Sequence, residues 1–297
     1  MKDFFSVILF YTFKVFISLL PDRFMYTIMK SISYMIYRFD HKHRKIVETN
    51  LNLAYGEEIS KEKKKEIARK TYLNILLLLV DFIRNHGISH QSLLKKVTFQ
   101  NEHILTNALK NKKRVILIGA HYGNWELLLL SIAARFGLFT GVGRKLNSPM
   151  MDRILKKNRQ QFNMEMLDKK GAMKSMIQTL KNNRILGLLV DQNTSDNEGI
   201  LIDFFGKQAR HTPSAAILAR RCDALIVPVF ITMDSYPHHT VTFYDPIVVD
   251  KTDDKDLDIR LSVQKQAALT EQIIRQKPEE WFWLHRRWKN QYKEYYQ

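Results

Sequence analysis

The chain has 297 residues, 45% apolar and 26% charged, which is the composition of a folded globular protein and excludes a disordered tail. With 47 Lys and Arg against 30 Asp and Glu, its formal charge is +17, so the chain is attracted to something anionic. A single cysteine, Cys222, excludes a disulfide scaffold, zinc ribbons and iron–sulfur sites and points to a reducing compartment.

Residues 4–20 (FFSVILFYTFKVFISLL) carry one charge, Lys14, and a second aromatic-rich segment runs from Phe24 to Phe39 with Lys30 and Arg38. A membrane-crossing helix needs about 20 apolar residues, so the first segment is slightly short for that task, although a single crossing stays open. A secretory signal does not fit, since a second apolar stretch follows with no small-residue cleavage site. Two lightly basic, aromatic-rich helices suit a membrane interface; the plainer reading is a pair of core helices. Residues 1–40 are therefore read as membrane-associated helices and 41–297 as the main domain, with a helical lead-in over 41–110 and an α/β core over 111–297.

The lead-in is basic (HKHRK at 41–45, KEKKKEIARK at 61–70) and continues as a helix from Ile67 to Arg84 whose middle, Ile75 to Val80, reads as buried. Beyond it, strand and helix signals alternate. Strands are predicted over Arg114–Ala120, Leu138–Gly143, Ile185–Val190, Leu225–Thr232 and Thr240–Val249. Helices are predicted over Trp125–Phe136, Pro149–Phe162, Gly171–Asn182, Thr212–Cys222 and Leu257–Gln276. This alternation implies a central, mostly parallel sheet flanked by helices, with functional loops at the C-terminal ends of its strands.

One such end reads Gly119-Ala120-His121-Tyr122-Gly123-Asn124-Trp125-Glu126. A buried strand stops at Gly119 and an apolar helix starts near Trp125, with Asn124 as its N-cap and Glu126 in its first turn. Five residues apart on a continuous helix, two side chains lie about 140° apart, so His121 must sit on the turn before the helix to come back towards Glu126. A carboxylate there accepts from one ring nitrogen and leaves the other as a base, while the helix N-terminus suits phosphate or a developing oxyanion. A capped helix with an exposed histidine is the plainer alternative.

GAHYGNWE resembles the His-x4-Asp/Glu signature of the lysophospholipid-type acyltransferases, in the Glu form of the bacterial lipid A biosynthesis acyltransferases. Gly143-Arg144-Lys145-Leu146-Asn147-Ser148-Pro149 resembles that family's Arg-x-x-Asn-x-Pro segment, and Arg159 falls where it has an Arg at the end of the next helix. Val190-Asp191-Gln192, with Phe204-Phe205-Gly206 and Thr212, resembles its Asp…Phe-Phe-Gly…Thr block. Trp283-Leu284-His285-Arg286-Arg287-Trp288-Lys289 resembles its C-terminal signature, and Asn50-Leu51 matches an Asn-Leu pair. The matches cover the chain in order; Lys145 in place of a Pro and the 193–199 loop are departures.

The resemblance implies a glycerolipid-acyltransferase-like fold and a membrane-associated O-acyltransferase at the cytoplasmic face of the inner membrane. It would move a fatty acyl chain from an acyl-carrier-protein thioester to a hydroxyl of a lipid A precursor, with no cofactor and no metal. It implies His121 as base with Glu126 holding its charge, and Asn124, Arg144, Arg159 and Asp191 around the substrate. In that reading Arg144 and Arg159 hold acceptor phosphate or the developing negative charge, and Asp191 orients one of them or the acceptor sugar. The Trp281-Trp283-Trp288 cluster is either an interface belt or packing of the C-terminal segment. The alternatives are an acyltransferase with a glycerophospholipid or other glycolipid acceptor, or a non-catalytic membrane scaffold. No helix-turn-helix, zinc finger or RNP-type aromatic motif supports nucleic-acid binding, and neither a Gly-x-Ser-x-Gly elbow nor a phosphate-binding Gly-Lys loop is present.

Overall fold

The computed structural model describes residues 2–297, with side chains from residue 8 onward, so the side chains of residues 4–7 in the first apolar segment lie outside the description. Four helices lead: α1 (Lys2–Leu19), α2 (Asp22–Phe39), α3 (His41–Tyr55) and α4 (Lys61–Arg84). Pro21 separates the first two, Asp40 caps α3 by accepting from His43 N, and Ser60 caps α4 by accepting from Lys63 N. Then come α5 (His90–Leu94), β1 (Val97–Gln100), α6 (His103–Lys110), β2 (Arg114–Gly119), α7 (Trp125–Phe136), β3 (Phe139–Gly143), α8 (Pro149–Arg159) and β4 (Glu165–Asp168). The remainder is α9 (Met173–Lys181), β5 (Ile185–Leu189), β6 (Ile200–Phe204), β7 (Lys207–His211), α10 (Ser214–Cys222), β8 (Ala224–Ser235), β9 (His238–Phe243) and α11 (Lys255–Gln276).

Seven strands form one sheet in the order β1-β9-β8-β2-β5-β3-β4, parallel throughout except where β9 runs antiparallel to β8. The central strand β2 is apolar on both faces: Ile116 and Ile118 join one buried cluster, Val115 and Leu117 the other. Side chains alternate across a strand, so a continuous apolar run is what a strand covered by helices on both sides requires. Leu127, Leu128 and Leu130 of α7 cover one face, while Ala215, Leu218 and Ala219 of α10 and Val263 and Ile274 of α11 cover the other.

The predicted mostly parallel sheet is present, with four differences in detail. The lead-in is not wholly helical, since β1 lies within it and pairs with β9. The last strand ends at Phe243, before Val249. The short edge strand β4 and the β6–β7 hairpin were not predicted. The apolar middle of α4 is buried at Leu77, Leu78 and Val80, yet Leu79 is 50% exposed.

No helix among the described residues is long and apolar enough to cross a membrane. The outer surface of α1 and α2 is nevertheless apolar, with Val15, Phe16, Leu19, Phe24, Met35 and Phe39 all exposed. Lys14, the one cation of the first segment, turns inward and donates to His86 O at 2.6 Å. The helix pair is tied down by Arg84 of α4, whose guanidinium donates to the backbone oxygens of Ile17 and Leu20 and pairs with Asp22.

Candidate active site

Two parallel strands build the centre of the site. Gly119, the last residue of β2, is in register with Leu189, the last of β5, and Val190 N donates to Gly119 O at 3.0 Å. Two residues past each end stand His121 and Asp191, at the same height on adjacent strands. Asp191 Oδ1 accepts from the His121 backbone N at 3.0 Å and lies 2.8 Å from His121 Nδ1; Oδ2 accepts from Trp281 Nε1 at 2.8 Å. Asp191 is buried, which by itself pushes its carboxyl up, but the His121 ring and these donors more than reverse that and hold it below the usual carboxylate range. An ionised carboxylate only accepts, so Nδ1 carries a proton, and in the neutral ring Nε2 presents a lone pair.

The turn between His121 and α7 is shaped by close contacts. Gly123 has φ +56°, and a Cβ there would lie 2.1 Å from Ile231 O, so only glycine fits. The C-terminal segment straps the turn: Phe282 N donates to His121 O at 2.9 Å, and Gly123 N donates to Glu280 O at 2.9 Å. Trp281, Trp283 and Trp288 are buried, which settles their role as packing in favour of the C-terminal segment rather than an interface belt. Asn50 locks that segment, its Nδ2 donating to Trp283 O at 2.6 Å and His285 O at 2.7 Å. The His121 ring, 22% exposed at its side chain, stands edge-on to Trp125 (centroids 5.3 Å apart) and beside Phe282 (6.4 Å).

The other predicted site residues are placed differently. Glu126 is not the partner of His121: it accepts from Arg159 Nε at 2.9 Å and from Arg159 Nη2, in a part-buried bidentate pair joining α7 to α8. Burial alone lowers the Arg159 pKa, but the Glu126 carboxylate outweighs it and leaves the guanidinium raised. Asp191 orients His121, not an arginine. Asn124 caps α7 as expected, its Oδ1 accepting from Leu127 N at 3.0 Å, but it is buried, and its Nδ2 donates to Asp81 Oδ2 at 2.8 Å. Arg144 is exposed on the rim of an open groove that it shares with Lys145, Lys156 and Arg159 and with two acids, Asp152 and Asp168.

Asp81 belongs to the buried surroundings of the site and was not predicted. It is the one acid in the apolar run of α4, and it also accepts from Tyr236 OH at 3.2 Å. Burial pushes its carboxyl up to about 6, against weaker opposing effects from Lys96, Tyr236, Arg84 and Asn124. Tyr236 OH in turn accepts from Arg84 Nη1 at 3.3 Å, so hydrogen bonds run from the cap of α7 to the turn between α1 and α2.

Buried and part-buried histidines give the fold an acid limit. Burial pushes His285 and His239 down to about 4; His211, held further by Arg287, goes to about 3. Their folded values lie below the ordinary 6.5, so the stability they contribute is present above about pH 6.5 and lost as the unfolded chain takes up protons below it. Asp81, raised in the fold, opposes this by one proton between about pH 6 and 4. His86, also lowered by burial, adds to this loss, and Glu280, raised by burial, opposes it; with the histidines in excess, unfolding free energy is expected to fall as pH drops from about 6.5 towards 5. Denaturant melts at pH 7, 6, 5 and 4.5 check the slope; a flat profile would show that these imidazoles charge freely in the fold.

The sequence model of the bacterial lipid A biosynthesis acyltransferases matches residues 3–290. The chain is 26% identical over 281 residues to a lipid A biosynthesis lauroyltransferase of Escherichia coli K12, covering 91% of this chain and 87% of that protein. It is 19% identical over 268 residues to the lipid A biosynthesis myristoyltransferase of the same organism, covering 90% and 82%. A phosphatidylinositol mannoside acyltransferase of Mycolicibacterium smegmatis is 26% identical over 129 residues, 42% of each chain. A match over nearly the full length, on a parallel sheet whose strand ends present a carboxylate-held imidazole, makes the chain an acyltransferase of the bacterial lipid A biosynthesis acyltransferase family.

Proposed function

We propose that this protein transfers a fatty acyl chain from an acyl-carrier-protein thioester to a hydroxyl of a lipid A precursor, at the cytoplasmic face of the inner membrane. The observation that carries the reading is the His121–Asp191 pair, 2.8 Å apart, which leaves Nε2 as the free nitrogen beside Trp125 and Phe282. His121 Nε2 takes the proton of the acceptor hydroxyl as its oxygen attacks the thioester carbonyl, and the Asp191 carboxylate stabilises the imidazolium that forms. Nε2–H then returns the proton to the departing thiolate, so no acyl-enzyme is needed. Trp125 and Phe282 offer apolar surface on which an acyl chain near the thioester can lie.

Glu126 and Arg159 act as a unit in this reading. Glu126 holds the Arg159 fork in place, and the cations Arg144, Lys145 and Lys156 on the same groove attract the phosphate of an anionic acceptor. Asn124 serves through its cap and its bond to Asp81. The exposed apolar residues of α1 and α2 support residues 1–40 as an interfacial anchor, with the excess positive charge drawing the chain to anionic lipid and to an acidic carrier. The names and coverage of the two Escherichia coli relatives favour lipid A over other acceptors.

The test is an assay of detergent-solubilised protein with acyl-carrier-protein thioester and a tetra-acylated lipid A precursor bearing its inner sugars, product mass read directly. A gain of one acyl chain is expected. No gain, with acylation of a phosphatidylinositol mannoside or a lysophospholipid instead, would move the acceptor to that class. Co-sedimentation with vesicles containing anionic lipid, weakened by Phe16→Ser and Phe39→Ser together, checks the anchor.

A further inference from the structure

We propose that the side-chain amide of Gln192 is a catalytic group, an N–H donor to the thioester carbonyl oxygen as negative charge develops on it. This rests on the acyl-transfer reading above and names a further residue for it. The amide Nε2 of Gln192 lies 3.4 Å from His121 Nε2, the nitrogen that receives the proton. Because Nδ1–H is committed to Asp191, His121 Nε2 is a lone pair, and only the NH₂ end of an amide can face it. A donor is therefore aimed at the point where the acceptor hydroxyl must arrive.

At 3.4 Å the contact with the imidazole is too long to hold the amide by itself. Its backbone neighbours hold it instead. Asp191, one residue before, is fixed by three N–H donors from His121 and Trp281. Asn193, one residue after, donates its backbone N to His285 Nε2 at 2.9 Å and its side-chain amide to Asn290 Oδ1 at 2.7 Å. His285 is kept neutral by its burial and so keeps the lone pair that this backbone bond needs. Gln192 is thus a part-buried side chain on a pinned backbone, with a polar end facing the reacting nitrogen and no hydrogen bond of normal length there.

Several other side-chain donors around the site are already committed. Two Arg159 nitrogens serve Glu126, the Asn124 amide serves Asp81, and the Trp281 N–H serves Asp191. When the hydroxyl binds Nε2 it takes the place the amide faces, and its oxygen bonds to the thioester carbon beside it. The carbonyl π pair moves onto oxygen as the C–O bond forms, the hydroxyl proton passes to His121 Nε2, and the oxyanion accepts from Gln192 N–H. Collapse restores the carbonyl, breaks the C–S bond and sends the Nε2 proton to the thiolate. A donor placed where charge appears, in a site shielded by Trp125 and Phe282, is worth far more than the same bond in water.

The experiment is steady-state kinetics of Gln192→Met, which keeps length and volume without the N–H. A kcat lower by about 10²-fold or more is expected, with KM for donor and acceptor changed less than about threefold. The unfolding midpoint should stay close to that of the parent chain, as for a group with no structural bond. Should Gln192→Met fail to fold, Gln192→Leu, of similar bulk and with no polar atom to act on His121 Nε2, gives the same reading. An unchanged kcat, or a loss confined to KM, overturns the proposal. His121→Ala run alongside separates the causes: turnover lost there but kept in the Gln192 variants removes the amide alone, whereas turnover kept in His121→Ala removes the base and the amide with it.

Discussion

Replacing Asp191 with Asn should lower kcat by about 10³-fold while the chain still folds. The carboxylate receives three N–H groups: two from His121 on Oδ1 and one from Trp281 on Oδ2. An amide of the same shape has one acceptor end. If its oxygen faces His121, its NH₂ meets the Trp281 N–H, two donors against each other in a buried place. If it turns over, the NH₂ faces Nδ1, which must then give up its proton, and Nε2 becomes N–H and ceases to be a base. Either way the ring also loses the charge that stabilises it as an imidazolium. A stability loss of about 1–3 kcal/mol should accompany the change, from the unsatisfied donor. Turnover of Asp191→Asn near that of the parent chain would mean that the tautomer is set by something other than this carboxylate.

His121→Ala should cost about as much, on the order of 10³-fold in kcat, since general-base assistance is worth about 10² to 10⁴. The cavity left between Trp125 and Phe282 has the shape of the missing ring. Added imidazole should therefore restore part of the rate, saturating with concentration, whereas added acetate should not. Removing the ring also takes from Asp191 the neighbour that lowers its carboxyl pKa most among the groups working against burial. Its folded pKa is below the ordinary value, so its contribution is present above about pH 4 and lost as pH falls further; in the variant that contribution should be smaller, because the folded pKa loses the neighbour that lowers it. Product mass against time, with and without imidazole, decides whether the ring or merely the pocket matters.

The alternating part of the fold was readable because β2, β5 and β8 are short apolar runs between helices with clear stop signals, such as Gly137 after α7. β1 was not, because four residues with one buried side chain carry almost no pattern, and its partner β9 lies more than 130 residues away in the chain. β4 fails in the same way at the other edge of the sheet. In the site, local spacing correctly put His121 on a turn and Asn124 at a helix cap. It then paired His121 with the nearest carboxylate, which the structure gives to Arg159. The true partner was marked only by an equivalence: His121 and Asp191 each stand two residues past the end of a central parallel strand. Adjacency of those two strands is the fact that turns the equivalence into a contact, and it is a property of the sheet rather than of either segment.

The grip of Arg84 on the first helical hairpin bears on how this protein can be handled. A greasy N-terminus invites removal to obtain a more tractable sample, and a cut after Phe39 looks natural on hydropathy grounds alone. That cut would strip Arg84 of the Ile17 and Leu20 carbonyls and of Asp22, stranding a cation whose one remaining neighbour in the set is Tyr236. Tyr236 leans on Asp81, and Asp81 on the side chain that caps α7. Trimmed versions of the chain are therefore poor stand-ins for the intact one: they put at risk the very corner that carries His121, and inactivity in a trimmed sample says little about which residues do the chemistry.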